Sequence, residues 1–236
     1  MRLSIGKPWR PLLGCLCLLL IWLLLFPGQA GQGFATLLWY QLSLAAAASG
    51  LALLAGVGLG VLVTRPQGRA WRPLLHSLLA MLQWFPPLVL LAVAALLMGG
   101  GVGPALLALM LGGMLPVAQA TLDGLDAVPE ATREVGRAIG MTHWQRLWQI
   151  ELPLAAPVML GGMRRAVMLI LGGAALAATL GTSTLGLPII AGLSGFQAAP
   201  VFQAAVLLVL LALCVDQLFE LLAQSLSRQV PGDTPT

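Results

Sequence analysis

The feature that most constrains this chain is a recurrence of apolar runs of roughly 20 residues, nearly free of charge. A helix rises ~1.5 Å per residue, so such a run crosses a hydrocarbon core of ~30 Å. Apolar residues make up 59% of the sequence and charged residues 8%, far from the balance of an ordinary soluble domain. The expected fold is all-α. It is a polytopic membrane protein with about six transmembrane helices, over 11–27, 37–63, 73–98, 103–122, 154–180 and 201–224.

The formal charge of +4 is not a nucleic-acid signal, because in such a chain basic residues report orientation. With the N-terminus in the cytoplasm, Arg2, Lys7 and Arg10 lie inside, as do Arg65, Arg69 and Arg72, then Arg133, Arg137 and Arg146, and finally Arg228. The outer segments, about 28–36, 99–102 and 181–200, contain no Lys or Arg. A cleavable signal peptide is the rival reading of the N-terminus, given its basic start, the apolar core from Leu12 to Phe26 and small residues near Ala30. The further spans make a first anchor the ordinary case. Leu12-Leu13-Gly14-Cys15 imitates a lipoprotein site, but the apolar run follows the cysteine. Cys15, Cys17 and Cys214 all lie in apolar runs and imply neither a disulfide framework nor a metal set.

Breakers punctuate the spans. Pro86-Pro87 interrupts the third and Pro116 lies in the fourth; membrane helices tolerate them where neighbours satisfy the freed backbone. Gly56, Gly58 and Gly60, and Gly161, Gly162, Gly172 and Gly173, suit close helix approach. The kinked third span is the better candidate for lining a pathway. Gln83, Trp84, Phe85 and Pro86, with Pro116, Gly181 and Gly186, form that candidate set.

Between the fourth and fifth spans lies a polar loop, about 123–153. Pro129-Glu130 is helix-start chemistry, since proline is preorganised for the first turn and acids favour the positive helix end. A helix of about ten residues pairs Glu130 with Arg133 and Glu134 with Arg137 at i,i+3. Gly140 supplies the stop, and Thr142 with Gln145 forms a capping box opening a second helix. Trp144, Leu147, Trp148 and Glu151 follow a 3/4 spacing, so the aromatics face one way, and Leu152-Pro153 ends the helix and launches the next span. An amphipathic loop resting on lipid headgroups accounts for the tryptophans. It accounts for neither the glycine break nor the acids Glu130 and Glu134.

The run Glu134, Gly140, Ile150 and Leu152-Pro153 resembles the coupling-loop signature of ABC importer permeases, E-A-A-x3-G-x9-I-x-L-P. Val135 and Gly136 stand where that family usually has alanines, and Gly136 weakens the helix by up to ~1 kcal/mol. The likeness extends over about 73–228. Gln83-Trp84-Phe85-Pro86, Leu115-Pro116-Val117, Thr121 with Gly124-Leu125, Gly140-Met141-Thr142, Glu151 through Leu154 and Gly181 through Pro188 resemble the osmoprotectant branch. Permeases of that branch import glycine betaine, choline, carnitine or similar quaternary amines. The branch more often has glycines at 183 and 184 and an acid at 187, where this chain has Ser183, Thr184 and Leu187.

The resemblance implies three segments: 1–36 with the first helix and an outer loop, a permease domain over 37–228, and a tail over 229–236. It implies that Glu130, Glu134, Gly136, Arg137, Gly140, Thr142, Ile150, Leu152 and Pro153 engage an ATP-binding cassette ATPase dimer. The other expected partners are a second permease copy or paralogue, an extracytoplasmic substrate-binding protein and the lipid bilayer. Lys7, between Gly6 and Pro8, is the only lysine, so this chain has no phosphate loop of the G-x-x-x-x-G-K-[ST] kind. ATP and magnesium then belong to the partner ATPase, and no cofactor is expected on this chain.

Charges remain near the last two spans, where each costs a nominal ~2.5–3.5 kcal/mol at the bilayer centre. Arg164, Arg165, Asp216 and Glu220 form either an ion-paired anchor or a proton or cation relay. The anchor is preferred, with Arg165 opposite Asp216. The relay would make the chain an ion-coupled secondary carrier, but the two halves show no convincing repeat. Gly192-Leu193-Ser194-Gly195 matches an intramembrane serine protease motif, which needs a histidine base within about 3 Å. His76 and His143 are both expected at the opposite membrane face from Ser194, and the match reads as chance.

Overall fold

The computed structural model describes residues 10–25, 33–65, 71–73, 77, 81 and 85–227. Among these residues the fold is entirely helical. Four helical stretches are long and apolar enough to cross a membrane: Phe34–Thr64, Val102–Asp126, His143–Leu180 and Ala198–Leu226. Two apolar helices are shorter. One is α1 (Arg10–Leu25); the other, α3 (Pro87–Met98), is the described helix of the third expected span. Pro86 and Pro87 stand at the cap and first turn of α3, where a missing N–H removes no helical bond.

The core is a close-packed trio. The long α2 (Phe34–Thr64) lies on α4 (Val102–Asp126), and α4 lies in turn on α7 (Leu152–Leu176). Ala48, Ala52, Gly56 and Gly60 recur every four residues and are buried along α2. A Cβ on Gly56 would fall 2.8 Å from the Met114 carbonyl oxygen, and one on Gly60 2.6 Å from the Thr121 Cβ. On the other side of α4, a Cβ on Gly162 would overlap the Ala120 methyl, and one on Gly173 would fall 2.6 Å from Leu109. Small residues let backbones approach where lipid supplies no hydrophobic drive between helices. Among the described residues, a Cβ added at Gly58, Gly161 or Gly172 would meet nothing within 4 Å, so these three seat no described neighbour. Within this chain the packing expectation therefore holds for Gly56, Gly60, Gly162 and Gly173.

At one end, α7 tightens into a 3₁₀ turn (Ala177–Leu180) and stops at Gly181, whose φ is +85°. The Gly101 amide donates to the Leu180 carbonyl at 2.8 Å, tying the α3–α4 turn to this stop. The expected outer segment 181–200 holds a further helix, α8 (Gly186–Ser194). Its first residue sits so close to α7 that a Cβ would overlap the Ala175 carbonyl. Phe196, almost fully exposed and at φ +53°, turns the chain into α9 (Ala198–Ser227). α1 packs on α9, where the Trp22 ring N–H donates to the Gln203 carbonyl at 3.2 Å.

Candidate functional site: the polar helical hairpin

Asp126 ends α4, and Pro129 caps α5 (Glu130–Ala138). α5 closes as a Schellman motif. The Gly140 amide donates to Arg137 O and the Met141 amide to Gly136 O, both at 3.0 Å. Gly140 takes φ +82°, a conformation that is unfavourable for any residue with a Cβ. Thr142 then opens α6 (His143–Arg146) with a complete capping box. Its side chain accepts from the Gln145 amide at 3.3 Å, and the Gln145 side chain accepts from the Thr142 amide at 2.8 Å.

Of three expectations about this segment, two are corrected. First, Leu152-Pro153 does not end the second helix. A π-helical turn (Leu147–Glu151) joins α6 to α7 without a break, and the Leu152 amide reaches back five residues to Leu147 O. Proline lacks an N–H and its ring clashes with the carbonyl four residues earlier. The wider turn immediately before Pro153 relieves both problems. Second, the two aromatics are both exposed, as a shared outward direction requires, while the other two residues of the 3/4 spacing turn inward. The extra residue in the turn leaves Trp144 and Trp148 exposed, while Leu147 and Glu151 are buried. Third, Arg137 does not pair with Glu134. It reaches Glu130 at 2.8 Å, beside the Arg133–Glu130 contact at 3.3 Å.

Glu151 organises the interior of the hairpin. Its two carboxylate oxygens accept separately from Arg65 at 2.9 Å and Arg146 at 3.0 Å. Arg146 also lies 3.0 Å from the His143 ring nitrogen Nδ1. Arg133 donates to the Leu125 carbonyl, and Arg72 pairs with Asp126. These groups line a cavity of about 660 Å³. Both ions of the Arg146–Glu151 pair are almost fully buried, a setting in which loss of one partner strands the other. In the sequence Arg65 reads as an orientation signal and Glu151 as part of the helical spacing and of the Glu151 through Leu154 run, with no sign that the two meet.

Gly136 is buried, and a Cβ there would lie 3.1 Å from Ile150 Cδ1 and 3.3 Å from Arg146 Cδ. Thus Gly136 and Ile150 form the joint that presses α5 onto the second arm. Glu134, Val135 and Ile139 remain exposed, with Thr142 and Pro153 also at the surface. Among the described residues Glu134 makes no ion pair. Leu152 is half-buried at the start of α7.

The pathway candidates divide. Phe85 and Pro116 line one cavity of about 310 Å³ between α3, α4 and α7. Gly181 and Gly186 sit elsewhere, at the far end of α7. Pro86 caps α3. Gln83 and Trp84 lie outside the described residues, as does His76. The ionic anchor also changes partner. Arg164, not Arg165, grips Asp216 with two bonds of 2.7 Å and Glu220 with one of 3.1 Å. Adjacent residues on a helix point ~100° apart, so a single α7 arginine faces α9. Ser194, in the protease-like motif, donates its hydroxyl to Ile190 O at 3.0 Å.

Residues 56–228 match the family described as binding-protein-dependent transport system inner membrane component. The chain belongs to that family. The permease is 40% identical over 189 residues to the osmoprotectant import permease protein OsmW of Salmonella typhimurium, covering 78% of this chain and 87% of that one. It is 33% identical over 166 residues to the glycine betaine/carnitine/choline transport system permease protein OpuCB of Bacillus subtilis, covering 70% and 76%. Its fold is shared with a chain of the inward-facing MetNI methionine ABC transporter at a TM-score of 0.71 and 20% identity, over 94% of this chain and 99% of that one. The protein is therefore a multi-pass inner-membrane permease subunit, a transport component rather than an enzyme.

Proposed function

We propose that this permease, paired with a second copy or paralogue, forms the pathway of an ATP-driven importer for a quaternary-amine osmoprotectant. The cargo reading is supported by the names of its 33–40% identical relatives. The drive is supported by one observation above all. Glu134, Val135 and Ile139 are exposed on a hairpin cross-braced beneath by the Arg65–Glu151–Arg146 cluster. An exposed apolar pair beside an unpaired acid, on a braced support, is suited to gripping a protein surface. In this reading the hairpin faces the cytoplasm and docks on the ATPase, which hydrolyses ATP, while a separate receptor delivers cargo from outside. Gly140 sets the angle between the two arms.

The test is reconstitution of the permease with its ATPase and receptor in proteoliposomes. Wild-type complex takes up labelled glycine betaine with ATP inside, and vanadate stops it. Gly140→Val, which forces a branched side chain into a left-handed position costing about 1–2 kcal/mol, leaves insertion intact and removes most uptake. Uptake driven by an ion gradient without the ATPase, or normal uptake by Gly140→Val, overturns the reading.

A further inference from the structure

Arg165 is left over once Arg164 has taken both acids of α9. It stands near the midpoint of α7 and is exposed. It makes no ion pair among the described residues. Charges within spanning helices face the bundle interior or a watery cavity rather than lipid. Arg165 indeed lines the cavity of about 310 Å³ that also holds Phe85, Pro116, Gln119, Asp123 and Leu169. Among the described residues Asp123 is the one acid on that lining. One of its oxygens accepts from the Gln119 amide at 2.9 Å, and no arginine reaches it among the described residues. One cavity thus carries a cation and an anion that are not joined to each other, with the half-exposed Phe85 ring beside them.

We infer that this cavity is a cargo site for a zwitterion, a quaternary ammonium carrying a carboxylate, in preference to a simple cation such as choline. The inference rests on the importer reading above and narrows its substrate class. A guanidinium presents paired N–H donors that match a carboxylate, so Arg165 holds that end of the cargo. A quaternary ammonium has no N–H to donate. It is held by charge and by aromatic faces, which Asp123 and Phe85 supply. Choline brings no carboxylate and leaves Arg165 facing a second positive charge.

The experiment is equilibrium binding of labelled glycine betaine and labelled choline to the purified permease–ATPase complex, without nucleotide or receptor. Wild type binds betaine at least about 10-fold more tightly than choline, as expected for a charge-assisted pair. Arg165→Gln brings the two within about threefold, and Arg165→Lys, which keeps the charge but loses the paired donors, retains an intermediate preference. Each variant is checked for monodispersity on gel filtration. Equal binding of both amines by wild type, or an unchanged preference in Arg165→Gln, overturns the zwitterion site. ATP-driven betaine uptake by the same preparation, reconstituted in proteoliposomes together with its receptor, separates the two readings. Uptake without the binding preference sinks the site alone, whereas absence of uptake of either amine sinks the importer reading and the site with it.

Discussion

Glu151 shows how much can hang on one carboxylate. It is the shared acceptor of the buried Arg146 and the partly buried Arg65, so replacing it by leucine leaves both guanidiniums without a counter-charge. The expected loss is about 3–5 kcal/mol, visible as a large drop in the melting temperature of the detergent-solubilised complex. Converting Arg65, Arg146 and Glu151 together to methionine restores most of it, because buried ion clusters often give way neutrally to packed apolar groups. A triple variant no more stable than Glu151→Leu would contradict this account. The caps of the hairpin were legible because Gly140, Thr142 and Gln145 act over a few positions. The Arg65–Glu151 pair was not, since 86 positions separate its members and nothing local announces the contact.

At the scale of elements, the same chemistry acts differently on two neighbouring glycines of α7. Gly162 abuts Ala120 of α4, whereas Gly161 faces open space. Gly162→Ala is expected to destabilise by about 1–3 kcal/mol through overpacking. Gly161→Ala should be neutral or stabilise by up to about 1 kcal/mol through helix propensity. Thermal shift of the two purified variants checks the contrast, and equal effects would show that the α4–α7 seam is misplaced. Which glycine of a pair packs depends on where the facing helix lies, and apolar periodicity is weak where every face is apolar. The choice between Arg164 and Arg165 fails from sequence for the same reason. The π turn was also hidden, since Pro153 reads as a stop unless the chain has already widened ahead of it.

For the whole molecule, the sequence revealed the helical class and the polar hairpin, because apolar runs and their interruptions are written along the chain. It did not reveal α8, whose residues read as an apolar loop until Gly186 is seen lodged against Ala175. Orientation is the molecule-scale expectation still open to experiment. A cysteine at Glu134, in a chain with Cys15, Cys17 and Cys214 changed to alanine, should react with an impermeant maleimide only after the inner face is opened. A cysteine at Phe196 should react in intact spheroplasts. The reverse labelling would invert the molecule and remove the hairpin from any cytoplasmic motor.

The continuity of His143–Leu180 has a consequence for how motion travels. Thirty-eight residues form one rod about 57 Å long, bracketed by left-handed swivels at Gly140 and Gly181. A tilt applied at the Thr142 tip is carried along the rod and re-emerges beside Thr182 and Thr184. If the hairpin is the docking handle proposed above, leverage along this rod, rather than a relay of small side-chain shifts, is how work would reach the far end of the helix.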